Sequence, residues 1–307
     1  MQNNNQWFQI KEQGAGNKRL ALTWFLYKIF GEKALRLVAF LMSVFILIFS
    51  PTIRNSSKTY FQIIYPQTNL KPSLLNQFKH ILSYANSLVD KMLIFSGNFN
   101  IENIEFDDKK KEKQMFEDIN EKQGVFFLCN HIGNIEALQA FFFNSKTNPD
   151  FGVNIFLSRK QSKIFNEFLQ SIKKEFAAEI HNVEDIGIET GVELKESLDN
   201  GEIVFIAGDR LSENDTEERK HNIAAKMFSN TIYLPKGSFK LAKLMNVPTY
   251  FISAVKQDNK YKVYIKKAED LTEENLVKSF VDFEEEMALI NPYQFFNFYD
   301  FFVTEQD

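Results

Sequence analysis

Apolar and polar positions change their spacing along this chain, and the changes divide it. Residues 20–30 and 37–49 are apolar and aromatic, with Gly31-Glu32-Lys33 between them. Residues 52–122 read as mainly helical and connecting, clearest at 78–89, where apolar residues recur at helical intervals. From Gly124 onward, short apolar runs alternate with helical stretches. Strands are predicted at 125–129, 153–157, 177–181, 203–207 and 249–255, and helices at 134–143, 161–176, 189–198 and 235–246. Residues 261–266 alternate as an edge strand does. Residues 211–231 read as a long polar loop, and the charge run 107–113 as a solvated loop or helix face. Strand–helix alternation with apolar strands implies an α/β fold: a central, largely parallel or mixed sheet flanked by helices. Sites in such sheets form beyond the carboxyl ends of the strands.

Composition adds three constraints. The 307 residues fit one large domain or two small ones, and 25% charged with 44% hydrophobic residues excludes global disorder, collagen and a multi-span transporter. The single cysteine, Cys129, cannot form an intramolecular disulfide and reads as a small core residue. Phe is in excess, with 33 residues. Some lie in the basic arm (Phe25, Phe30, Phe40, Phe45, Phe49), some around 126–143, and some at 295–302.

Charge separates an arm from a body. Residues 1–60 carry eight cations against two anions, so within a net charge of −4 the remainder is strongly acidic. A nucleic-acid binder spreads its cations over the domain, so no nucleic-acid partner is expected. A basic, apolar arm at 1–60, ahead of a domain at 61–307, suits an anionic membrane surface. As a helix, residues 37–49 extend about 20 Å, short of the roughly 30 Å hydrocarbon core. The arm therefore reads as one tilted, interrupted span, as a hairpin lying in the interface, or as a buried core helix. A cleavable signal peptide is not expected, because no small-x-small site follows the apolar run.

Directly after the 125–129 run comes Asn130-His131-Ile132-Gly133-Asn134-Ile135-Glu136. On one continuous helix a five-residue separation turns about 500°, so His131 and Glu136 would diverge. They meet only if His131 lies in a turn and Glu136 in the helix after it. Gly133 supplies backbone freedom and Asn134 an N-cap for that arrangement. Glu136 would then hold one ring nitrogen and leave the other as a base, acting directly on a substrate hydroxyl. The same spacing also fits a structural turn histidine paired with a carboxylate.

These residues resemble the His-x4-acid signature of the lysophospholipid acyltransferase superfamily, and more closely its bacterial lipid A biosynthesis (lauroyl/myristoyl) acyltransferase branch. Further blocks resemble that branch in the same order. They are Trp7 with Glu12-Gln13-Gly14 and the apolar arm; Phe156-Leu157-Ser158-Arg159 with Phe165-Asn166; Ile206-Ala207-Gly208-Asp209-Arg210; and Tyr233-Leu234-Pro235-Lys236-Gly237. The closing Pro292-Tyr293-Gln294-Phe295-Phe296-Asn297-Phe298 is similar to that of uncharacterised members.

The resemblance implies a membrane-associated acyltransferase. It moves a fatty acyl group from an acyl carrier protein thioester, or an acyl-coenzyme A, to a hydroxyl of a lipid or glycolipid. It acts at the cytoplasmic face of a bacterial inner membrane, as a monomer, with no cofactor and no metal. His131 is implied as general base and Glu136 as its orienting acid. Arg159 and Arg210 are implied to hold phosphate or the oxyanion, with Asn130, Gly133 and Asp209 also in the substrate-binding set. Asp209 is expected to fix the loop or Arg210, and Arg210 equally fits a plain salt bridge. The chain departs from the branch after Arg210, where residues 211–220 begin acidic. That points to a less charged glycolipid or aminolipid acceptor.

Lys236, Lys240 and Lys243 share a helix face by spacing, as a docking stripe for an acidic carrier protein or as an ordinary solvated face. Two other classes fit the chain: a catalytically silent lipid-binding or scaffold protein on the same fold, and a thioesterase-like hydrolase. The phenylalanines near 126–143 are expected in part to line an acyl-chain groove.

Overall fold

Alternation of period two along the strands serves two apolar layers, one on each face of a sheet. In the computed structural model, residues 17–95, 103–121, 124–144, 152–157, 179–182, 187–211 and 222–303 are described. Three helices come first: α1 (Asn17–Phe49), α2 (Pro51–Thr68) and α3 (Leu74–Phe95). They are followed by β1 (Ile104–Phe106), α4 (Lys109–Asn120), β2 (Val125–Gly133), α5 (Ile135–Asn144), β3 (Val153–Leu157) and β4 (Glu179–Asn182). Then come α6 (Ile188–Asp199), β5 (Ile203–Ala207), a hairpin of β6 (Asn222–Met227) and β7 (Asn230–Pro235), and α7 (Lys236–Met245). The chain continues with β8 (Thr249–Gln257), β9 (Lys260–Lys267), α8 (Glu273–Ile290), a 3₁₀ turn at Pro292–Gln294, and β10 (Phe302–Val303).

The main sheet has seven strands in the order β1-β9-β8-β2-β5-β3-β4. All its pairings are parallel except β8 with β9. Phe126, Leu128, Val204, Ile206, Phe251 and Val255 face a layer built with α2, α6, α7 and α8. Val125, Phe127, Cys129, Ile203, Phe205, Tyr250 and Ile252 face the opposite layer, with α4 and α5. Two buried faces explain why these strands read as continuous apolar runs. Phe126, Phe127 and Phe142 are at most 2% exposed, so they pack these layers rather than wall an open groove; Phe141 is half-buried.

Three expectations are corrected. Residues 261–266 are not an edge strand, because the three-residue β1 covers β9 in parallel. Three residues are too few to show a period. The supposed loop at 211–231 contains most of a hairpin, β6–β7, which with β10 forms a second, antiparallel sheet. Its two-residue turn, Phe228-Ser229, has both φ angles positive (48° and 65°), yet contains neither the Gly nor the Asn that marks such turns. Finally, a boundary at 60/61 would cut α2, whose Tyr60, Phe61 and Ile64 lie in the main core.

Within the arm, Asn17–Phe49 form α1, broken at Gly31, where φ is 72°. Its inner side sets Leu35 and Ala39 against Val89 and Leu93 of α3. Leu37, Leu41, Phe45 and Ile48 on the other side are all more than 50% exposed. No single helix among the described residues is long and apolar enough to cross a membrane. The segment Tyr27–Phe49 meets Pro51–Thr68 at 90°, and the pair has the length and composition for a bent span.

Candidate active site

A bulge in β2 places the histidine. Cys129 pairs with Ile252 and Gly133 with Ala254, so three residues, Asn130 to Ile132, stand opposite Ser253 alone. The surplus backbone turns to the chain's closing segment. Ile132 bridges Phe295, and Phe296 N donates to His131 O at 2.9 Å. Gly133 re-enters the ladder at φ 81°, where an added Cβ would lie 2.1 Å from Ala254 O. Only glycine fits there. Asn134 then caps α5, its Oδ1 accepting from Glu136 N at 3.1 Å.

His131 thus stands at the carboxyl end of β2, and Asp209 at the carboxyl end of the adjacent parallel strand β5. Asp209 Oδ1 accepts from His131 Nδ1 at 2.8 Å, and its Oδ2 accepts from His131 N at 2.9 Å. The orienting carboxylate is therefore Asp209, not Glu136. Asn297 Nδ2 also donates to Asp209, at 3.1 Å. Asp209 is wholly buried. Burial pushes its pKa up, but the imidazole, Arg210 and the His131 N–H outweigh that and hold it below the ordinary carboxylate range. With Nδ1 held, His131 Nε2 has no hydrogen-bond partner among the described residues. One third of the side chain is exposed. Enough protein surrounds the ring that burial, helped by Arg210, lowers its pKa despite Asp209 and Glu136. The ring is neutral at pH 7 and carries an available lone pair.

Glu136 points to a different partner, Lys91 of α3, in a close ion pair. Burial raises the Glu136 pKa, and Lys91 more than offsets it. Lys91 has no sequence signal beyond its helix. Beside it, Asp90 accepts from Arg36 of α1 (2.6 Å), Lys256 of β8 (2.6 Å) and Tyr261 of β9 (2.5 Å). Asn134 reaches the same Tyr261 hydroxyl at 3.3 Å. A polar chain thus runs from the arm to the motif.

Arg210 is not bridged to Asp209. Its Nε donates to Asn297 Oδ1 (2.9 Å) and its Nη2 to Phe296 O (2.7 Å). The closing block is therefore a wall of the site, and Asn297 ties both of its charged groups. Asn130 and Gly133 shape the bulge instead of lining it. Asn130 is buried and accepts from Ser253 Oγ at 2.6 Å. Arg159 lies outside the described residues, as does the acidic stretch after Leu211. Lys240 and Lys243 are exposed on α7, whereas Lys236 pairs with Glu273 at 3.4 Å. Cys129 is buried, and burial with the charges of Asp209 and Glu136 raises its pKa well above a thiol's ordinary value. Among the described residues no three His, Cys, Asp or Glu side chains are grouped to hold a metal.

No family model matches the chain, and no curated protein matches it.

Proposed function

We propose that the protein is a membrane-associated acyltransferase, carrying a fatty acyl group from a thioester to a lipid hydroxyl. The observation that supports this most is His131, with Nδ1 held by Asp209 and Nε2 unengaged at a partly open sheet end. In this reading Nε2 takes the proton of the acceptor hydroxyl as its oxygen attacks the thioester carbonyl. The carbon–sulfur bond then breaks, and the imidazolium returns that proton to the leaving thiolate. No nucleophilic Ser or Cys is needed, which suits the buried, protonated Cys129. Arg210, whose charge reaches the imidazole, is the candidate to offset the developing oxyanion. The family resemblance of the sequence blocks supports the same chemistry, with a carrier-protein donor preferred over coenzyme A. The exposed apolar side of α1 supports membrane association, and the family resemblance points to the cytoplasmic face of a bacterial inner membrane.

The test is acyl transfer by the full chain in mixed micelles, from acyl carrier protein and coenzyme A thioesters. His131→Ala is expected to lose about 10³-fold and Asp209→Asn about 10²-fold, within the range of general-base contributions. Full activity in His131→Ala would overturn the assignment. Release of free fatty acid with no acylated lipid would make the protein a thioesterase instead.

A further inference from the structure

The closing segment puts one neutral side chain between the two charges of the site. Asn297 is buried, at 3% exposure. Its Oδ1 accepts from Arg210 Nε at 2.9 Å, and its Nδ2 donates to Asp209 Oδ2 at 3.1 Å. A guanidinium only donates and a carboxylate only accepts, so one orientation of the amide serves both and the flipped one serves neither. The backbone on either side is held. Phe296 packs on Tyr84 with ring centroids 5.3 Å apart, and Phe298 packs on His80 at 4.4 Å. Phe296 O takes a second Arg210 donor at 2.7 Å, which seats the guanidinium on the closing segment.

Neighbouring Arg and Asp side chains ordinarily form a direct, charge-assisted pair, the stronger bond. Here Arg210 is close enough for its charge to lower the Asp209 pKa, yet the donors on Asp209 are His131 Nδ1, His131 N and Asn297 Nδ2. A direct pair would neutralise Asp209 where the imidazolium needs it. The other titratable groups around the imidazole do not supply that charge. Glu136 of α5 is paired with Lys91 of α3. Glu284 of α8 is wholly buried with both carboxyl oxygens unpartnered, and burial with the Asp209 charge pushes its pKa well up, towards the neutral acid. Burial likewise favours the protonated forms of Cys129 in β2 and Tyr299 in the closing segment.

We propose that Asn297 is a positioning residue that keeps Arg210 from pairing with Asp209, reserving the carboxylate for the imidazole and the guanidinium for the developing oxyanion. The oxyanion half rests on the acyltransferase reading; the separation of charges does not.

The experiment titrates His131 in the full chain in micelles, by NMR of ring-labelled histidine, its signal among the four histidines identified by its loss in His131→Ala. In Asn297→Ala the guanidinium closes on Asp209 and the imidazolium loses that support. The His131 pKa is expected to fall by about one further pH unit. In an Arg210→Met background the same substitution is expected to produce no fall. A packing role predicts the opposite sign, because a loosened segment admits water and relieves the burial that lowers this pKa. A rise or no change in Asn297→Ala, or an equal fall in both backgrounds, overturns the proposal. Asn297→Ser, which keeps one hydroxyl and fills more of the space, is the second variant, with a fall expected in the same direction. Failure of both variants to fold makes Asn297 a structural residue and overturns the proposal as well. In acyl-transfer assays Asn297→Ala is expected to lose about 10²-fold in kcat with acceptor KM unchanged, the size of one lost oxyanion donor. The pKa fall without any transfer by wild type overturns the acyltransferase reading alone.

Discussion

At the scale of single residues, the site depends on Gly133 and on the charges around one imidazole. Gly133→Ala would place a methyl group against Ala254 O in a left-handed backbone. It is expected to cost about 3 kcal/mol or more, measured by denaturant unfolding, and to abolish activity with it. His131 has its pKa lowered by burial and Arg210, against the opposing pull of Asp209 and Glu136. A neutral base is needed, so activity is expected to hold at pH 7 and fall only as the pH drops through that lowered value, below 6.5. Lys91 neutralises Glu136. Lys91→Met should therefore move the acid limb of the rate profile to higher pH, and adding Glu136→Gln should move it back. A merely structural role for Lys91 predicts lower activity with no movement of the limb. The sequence made His131, Asp209 and Arg210 visible as chemistry but assigned the wrong carboxylate to the imidazole. Glu136 is near in the chain, whereas Asp209 arrives from a neighbouring strand, and local spacing carries no information about which strands are neighbours.

At the scale of elements, α1 is apolar on both sides but packed on only one. Leu37, Leu41, Phe45 and Ile48 are exposed opposite the buried Leu35 and Ala39. Phe40 meets Phe78 of α3 edge-on at 5.5 Å, and Leu74 and Leu75, one turn earlier in α3, are 64% and 62% exposed. These side chains extend the same apolar surface. Leu41→Glu with Phe45→Glu is expected to release the protein from vesicles containing anionic lipid, measured by co-sedimentation; Leu74→Glu with Leu75→Glu should weaken binding further. Helix α3 also joins α2 to the closing segment through His80. Its Nε2 donates to Phe295 O at 2.5 Å, and its Nδ1 accepts from Ser57 Oγ at 3.0 Å. Burial lowers the His80 pKa to about 4. The unfolded chain takes up this proton near 6.5, so the contribution is complete above that pH and is lost as the pH falls from 6.5 towards 4. That amounts to about 3 kcal/mol, and urea titrations should show His80→Gln losing this part of the slope.

At the scale of the whole molecule, the parallel sheet was legible because its central strands β2 and β5 carry unbroken apolar runs, VFFLC and IVFIA. The hairpin β6–β7, strand β1 and the position of the closing segment were not legible. The hairpin turns on residues that carry no turn signature, β1 is too short for a period, and the aromatic-rich ending reads alike whether it lies on lipid or in a core. Phe295, Phe296 and Phe298 prove to be buried, with Asn297 among them bonding both Asp209 and Arg210. This has a consequence for how the protein is made. The backbone of His131 and the side chain of Asp209 both wait on Phe296 and Asn297, which are synthesised about 165 and 90 residues later. On the proposed function, a growing chain presents its apolar arm to lipid long before its base is assembled. On that reading it reaches the bilayer inert, unable to consume thioester until the polypeptide has come back to close over its own site.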